Sequence, residues 1–342
     1  MKIIRLCQTK AVRLTLCLIV SSVCLYFAVR GMNFEDALHQ LKRSSPTPIL
    51  GAVFFLFVSF WLRAYRWSYL LSPIKKISVR PLFRSTLIGF MGNYLFPFRA
   101  GEIMRAVSIG KTQDISKSAA LGSIVLERVF DGVVLSLTPF LLLSAVDLPP
   151  WVTRVNFTLL ALYITGLVGL VIAMHRGWTE AWIQWATALL PRRFARRIGS
   201  ISMEFFNGMK GITRSGALLP IALLSIVCWS FHALYFFLMF SALDLELSFS
   251  AALILQMVIG VGVILPAAPG YVGNFEYFTV LGLGLFGIAQ EPAFAYALLA
   301  HIFQFIPVTA VGLLFTLRSG FHRLGSEGEW RDERFEVRGS PL

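Results

Sequence analysis

Charge is scarce in this chain. Asp, Glu, Lys and Arg make up only 14% of its 342 residues, where an average soluble domain carries about 25%. Acidic residues are the scarcer kind, 18 against 31 basic, for a formal net charge of +13. There are four cysteines, Cys7, Cys17, Cys24 and Cys228. They show neither the pairing pattern of a disulfide framework nor the spacing of a metal site, so they read as small core residues. No Walker A loop, Gly-x-Ser-x-Gly, His-Glu-x-x-His or dinucleotide fingerprint is present, which argues against ATP-driven pumping by this chain and against the commoner hydrolases. No catalytic residue, metal or cofactor is expected, and the chain does not read as an enzyme.

What fills the space is apolar. The chain is 56% hydrophobic with 30 Phe and 8 Trp, and its mean hydropathy is +0.71. Those values describe an all-α polytopic membrane protein with lipid-facing surfaces and aromatic interfacial belts. The basic surplus then reads as a topology signal and as attraction to anionic headgroups, with no nucleic-acid partner expected. A spanning helix needs about 20 apolar residues. Six segments qualify, at about 14–30, 48–71, 118–146, 155–175, 217–242 and 291–317. Lys2, Arg5, Lys10 and Arg13 before the first could mimic a signal peptide, but the run continues to about Val29 without a small-residue cleavage site. A retained signal anchor is expected.

Two further apolar stretches, about 82–110 and 249–288, are interrupted by Pro and Gly near their middles. Each is a broken re-entrant hairpin or a pair of short full spans. Either reading adds an even number of crossings, so the topology outside is unchanged. Assigning loops alternately puts Arg30, Lys42, Arg43 and Arg154 on one side and Arg63, Arg66 and Arg128 inside spans. Every other Lys and Arg falls on the opposite side. By the positive-inside rule that side is cytoplasmic, and both termini lie there, in the inner membrane. The first hairpin then opens from the cytoplasm and the second from outside. Pro97 and Gly101 are followed by Glu102 as Pro269 and Gly273 are followed by Glu276. Matched interruptions of opposite orientation point to an inverted repeat with a site at its interface.

Between spans, Trp178, Trp182 and Trp185 share one helical face and precede an arginine cluster, Arg192, Arg193, Arg196 and Arg197, as in an in-plane amphipathic helix over residues 178–214. Residues 1–317 read as one membrane domain and 318–342 as a polar cytoplasmic tail.

The polar residues inside the spans are the candidate site, because ionisable groups in hydrocarbon need a partner or a wet cavity. Arg63 and Arg66 lie three apart on one face of the second span. Arg66 is near enough to the cytoplasmic end to snorkel, while Arg63 is about 12 Å from it at 1.5 Å per residue. Glu127 and Asp131 share a face of the third span with Arg128 beside them, as either a self-satisfied network or an exchangeable one. At the breaks stand Asn93, Pro97, Arg99, Gly101, Glu102 and Arg105, then Pro269, Gly270, Gly273 and Glu276. The restarting helices aim N–H groups into the site, which suits an anion. Glu102 and Glu276 would cap those groups, hold arginines or titrate. His301 and Gln304, three apart in the last span, could face the same cavity or simply pack.

Taken in order, Leu62-Arg63-Ala64-x-Arg66-Trp67, Asn93…Pro97-x-Arg99-x-Gly101-Glu102…Arg105, Glu127-Arg128-x-x-Asp131 and Pro269-Gly270-x-x-Gly273-x-x-Glu276 resemble the transmembrane region of lysylphosphatidylglycerol synthases, also called flippase-like domain proteins. The resemblance covers about residues 10–317. It implies movement of a lipid between leaflets, by a chain that ends at Leu342 before any soluble lysyltransferase domain. Tyr271 stands where that family usually has a second consecutive glycine.

The resemblance implies membrane lipids as partners, polyprenyl-linked sugars among them, and the arginines point to an anionic headgroup; further copies of the chain or lipid-synthesis enzymes are expected as protein partners. Arg63, Arg66, Arg99 and Arg105 would hold the headgroup, with Glu102, Glu127, Asp131 and Glu276 as gating partners. The competing classes are a membrane enzyme modifying a lipid and a non-transporting partner of a lipid-synthesis complex.

Overall fold

A computed structural model describes residues 10–96, 99–142, 148–214 and 216–318. Lys2, Arg5, Cys7, Pro97, Asp147 and the 319–342 tail lie outside them. So do the side chains of Lys10, Arg13, Arg192, Arg193, Lys210 and Arg214.

The described residues fold into thirteen α-helices and one short 3-10 turn, with no strand among them. In chain order the helices are α1 Lys10–Val29, α2 Phe34–Lys42, α3 Pro46–Leu71, α4 Val79–Leu95, α5 Ala100–Gln113, α6 Lys117–Leu141 and α7 Pro150–His175. They continue with α8 Trp178–Ala188, α9 Arg192–Arg214, α10 Leu218–Ala242, α11 Phe249–Ile264, α12 Asn274–Gly284 and α13 Gln290–Arg318. Four of these, α3, α7, α10 and α13, are long and apolar enough to cross a membrane. A fifth span results if α1 and α2, which meet at 85°, are one bent span. The bend falls at Gly31, which has a positive φ of 78°, and Asn33 caps α2 through its side chain. Helix α6 is long enough, but Glu127, Arg128 and Asp131 in its middle set it apart from the apolar four.

Helix ends follow local chemistry. Ser116 and Ser248 accept N–H bonds in the first turns of α6 and α11, and prolines open α3 and α7, where a missing N–H is harmless. Helix α4 stops at Leu95 with Phe96 extended, as expected of a residue preceding proline. Residues 178–214 form two helices, α8 and α9, not the single one expected. Pro191 separates them, and Trp178, Trp182 and Trp185 remain exposed along α8.

Both interrupted stretches are helix pairs closed by tight backbone approach. Helices α4 and α5 meet glycine to glycine: a Cβ on Gly101 would stand 1.8 Å from the Gly89 carbonyl oxygen. Small residues at such crossings let membrane helices pack by their backbones. In the second pair, a Cβ on Gly262 of α11 would stand 2.3 Å from the Phe278 ring of α12, and Gly273, with φ 88°, lies against α1, where a Cβ would stand 2.1 Å from the Ser21 carbonyl oxygen.

The core has two main parts. One joins α3, α4 and α10–α13 through Leu56, Phe60, Phe236, Phe240 and Tyr296. The other joins α3, α5, α6 and α9 through Trp67, Leu70, Ile109, Ile124 and Met209. Helix α7 buries little of its apolar surface, with Phe157 and Leu162 well exposed, as suits a lipid-facing helix.

Candidate functional site

The spacing of Glu127 and Asp131 places both on the face of α6 that meets α3 and α5. Glu127 is fully buried and takes a bidentate grip from Arg105, Nη1 to Oε1 at 3.0 Å and Nη2 to Oε2 at 2.9 Å. Its Oε1 also lies 2.5 Å from Arg128 Nη2 and 3.2 Å from Arg66 Nη2. Asp131 Oδ1 accepts from Arg66 Nη1 at 2.6 Å and from Trp229 Nε1 at 2.9 Å. Its Oδ2 faces Arg63 Nη1 at 3.4 Å and Arg128 Nη1 at 3.3 Å.

Aromatic rings complete the shell. The Arg105 guanidinium lies 3.8 Å from the centre of the Trp67 ring, and that of Arg63 lies 4.2 Å from the Trp229 ring. Ring faces attract desolvated cations. Four guanidiniums therefore share two carboxylates, leaving a positive surplus in the middle of an apolar bundle.

The surplus borders a cavity of about 200 Å³. Arg63, Arg128 and Asp131 reach it from the network. Asn93, Arg99 and Glu102 reach it from the first break, and Tyr271 and Phe275 from the second, with His301 and Gln304 opposite. Arg99 adopts a left-handed backbone (φ 53°) as the N-cap of α5, a conformation uncommon without glycine. It sends Nη2 to the Val263 carbonyl at 3.3 Å and so links the two breaks. A second chamber of about 340 Å³ adjoins through Asn93, Arg99 and Tyr271 and opens beside the apolar side chains of Leu16, Phe96 and Leu265.

Several expectations change on this geometry. Arg66 does not snorkel to the membrane surface: it is fully buried, drawn inward by Asp131, Glu127 and Ser225 Oγ at 2.7 Å. Arg66, Arg105 and Glu127 stand behind the cavity, outside its lining residues. Arg105 turns away from Glu102 to Glu127. Among the described residues Glu276 pairs with no arginine. Its Oε2 accepts the Gly273 N–H at 2.6 Å, capping the first turn of α12, and its Oε1 lies 2.6 Å from His301 Nδ1. Glu276 thus meets the cavity only through His301. Gly270 and Gly273 take positive φ in the second break, and so does Tyr271 at 60°.

Sequence reasoning missed Trp229, His232 and Gln256. The signal was present for two of them. Ser225, Trp229 and His232 recur at i, i+4 and i+7, a polar stripe along the otherwise apolar α10.

Fold and centre together define a multi-pass membrane protein built around a buried, arginine-rich polar core. The model of the lysylphosphatidylglycerol synthase TM region matches residues 14–312, and the chain belongs to that family. It is similar to a UPF0104 membrane protein of Methanothermobacter thermautotrophicus, 30% identical over 282 residues, covering 75% of this chain and 78% of the relative. A second UPF0104 membrane protein of that organism is 23% identical over 305 residues, 82% of this chain and 87% of the relative. One from Methanocaldococcus jannaschii is 22% identical over 324 residues, 90% and 95% of the two chains.

Proposed function

We propose that this chain moves a lipid with an anionic headgroup between the leaflets of the inner cell membrane, as a transporter and not as an enzyme. The observation that carries this reading is the positive surplus at the cavity wall, where Arg63, Arg99 and Arg128 meet the space between the two breaks. Arginine suits phosphate because its planar fork binds two oxygens at once. Asp131 holds Arg63 and, with Glu127, Arg128, two carboxylates against four guanidiniums, while Arg99 is held by the Val263 carbonyl. The chamber beside the apolar side chains of Leu16, Phe96 and Leu265 gives the tails a way to stay in lipid while the headgroup is inside.

The same reading takes the two helix pairs as re-entrant hairpins of an inverted repeat among six spans, with both termini cytoplasmic. Both breaks bordering one cavity supports that arrangement, as half-helix ends meeting at a shared site do in transporters. The natural partners are membrane lipids, further copies of the chain and enzymes of lipid synthesis. The test is translocation of a fluorescent anionic phospholipid in vesicles containing the purified protein, compared with a zwitterionic analogue. Equal rates for both lipids contradict a headgroup site built on arginine.

A further inference from the structure

His301 is buried, with both ring nitrogens against acceptors. Nε2 lies 2.7 Å from the Gly270 carbonyl oxygen and Nδ1 lies 2.6 Å from Glu276 Oε1. A carbonyl only accepts, so Nε2 carries a hydrogen. The Nδ1–Oε1 contact then needs one more proton, held by the imidazole or by the carboxyl. In both placements the pair is neutral overall and every bond is made. Without that proton a ring lone pair faces a carboxylate at 2.6 Å, an arrangement that cannot persist. The ring's one hydrogen moves to Nδ1 or the ring turns, and either way the Gly270 bond is lost; otherwise Glu276 swings away from His301 and strains its bond to Gly273. Both outcomes loosen the turn at 269–273, which forms the second break.

We propose that His301 and Glu276 form a proton-binding site whose occupancy holds the second break in its closed shape, making the proton a ligand of this chain. The proton leaves to water in the cavity, which His301 borders. The other charged or titratable groups on that cavity are Arg63, Tyr94, Arg99, Glu102, Arg128, Asp131, Tyr163, His232 and Tyr271. On α10, Tyr235 donates to the Ala300 carbonyl beside His301. Phe275 stacks on the imidazole, with centroids 4.5 Å apart. Among the described residues only Glu276 and Gly270 bond the ring.

Hydrogen exchange of a peptide covering 268–276 tests the latch, comparing variants at one pH so that intrinsic exchange chemistry cancels. Glu276→Gln is the diagnostic variant. Its amide can donate to Nδ1 and accept from the Gly273 N–H, closing the same bonds without a titratable proton. At about pH 5 the wild type and Glu276→Gln should protect the turn equally, and at about pH 9 the wild type should exchange about tenfold faster or more. His301→Asn should exchange fast at both, with a peptide from α3 confirming that the fold persists. Equal protection of wild type and Glu276→Gln at both pH values overturns the proposal, as does a Glu276→Gln turn that opens with pH like the wild type. The exchange reads the turn alone, so failure of lipid transport and failure of the proton site are separate results.

Discussion

Glu127→Gln separates the structural part of the arginine cluster from the part open to the cavity. Glu127 is fully buried and receives Arg105 through two bonds, with Arg66 and Arg128 also on Oε1. The amide keeps the shape but removes the charge and points an N–H group at guanidiniums that can only donate. Four arginines would then share Asp131 alone. Stranding one side of a buried ion pair costs about 3–5 kcal/mol, a loss of roughly a hundred- to several-thousand-fold in the folding equilibrium at about 1.4 kcal/mol per tenfold. Thermal unfolding of the purified protein in detergent, followed by size-exclusion fluorescence, should show a large drop in stability. Glu102→Gln, at a half-buried position on the cavity wall, is the control and should melt near the wild type. A Glu127→Gln protein as stable as Glu102→Gln would refute the idea that Glu127 ties α3, α5 and α6 together.

Arg99→Ala and Glu102→Gln should each slow lipid translocation severalfold while leaving the melting temperature near normal, because both side chains face the cavity instead of the packed network. Gly101→Ala should lower stability by about 1–3 kcal/mol or more, the usual cost of overpacking, since its Cβ would meet the Gly89 carbonyl oxygen at 1.8 Å; the melting temperature and expression level check it. Topology reporters after Leu342 and near Arg196 should both report cytoplasm and one near Asp147 the outside; opposite signals from Leu342 and Arg196 contradict the six-span reading.

Helix positions were legible because membrane helices announce themselves by length and hydropathy. The expected 48–71, 217–242 and 291–317 lie within two residues of α3, α10 and α13. The interruptions were legible because Pro and Gly leave few backbone choices. The partners of the charges were harder to read. Helical spacing places Glu127 and Asp131 on one face but cannot say that Arg105, from another helix, would take the bidentate position. Counting residues from the membrane surface put Arg66 within snorkelling reach, and two carboxylates across a helix interface outweighed that reach. Glu276 looked like a counterpart of Glu102 from its spacing after a proline and a glycine. His301, 25 residues away along the chain, gave it a different role.

Vesicles carrying the purified protein and a trace of phosphatidylglycerol with a fluorescent headgroup-distal label test the central claim most directly. Dithionite added outside bleaches only outer-leaflet label, so translocation appears as bleaching beyond the outer half. With wild-type protein the label should bleach almost completely, and faster than the phosphatidylcholine analogue. Arg63→Gln and Arg99→Gln proteins that remain folded should bleach the inner-leaflet label severalfold more slowly than the wild type. Complete bleaching by both folded variants at the wild-type rate, or no bleaching beyond half with the wild type, would contradict the account.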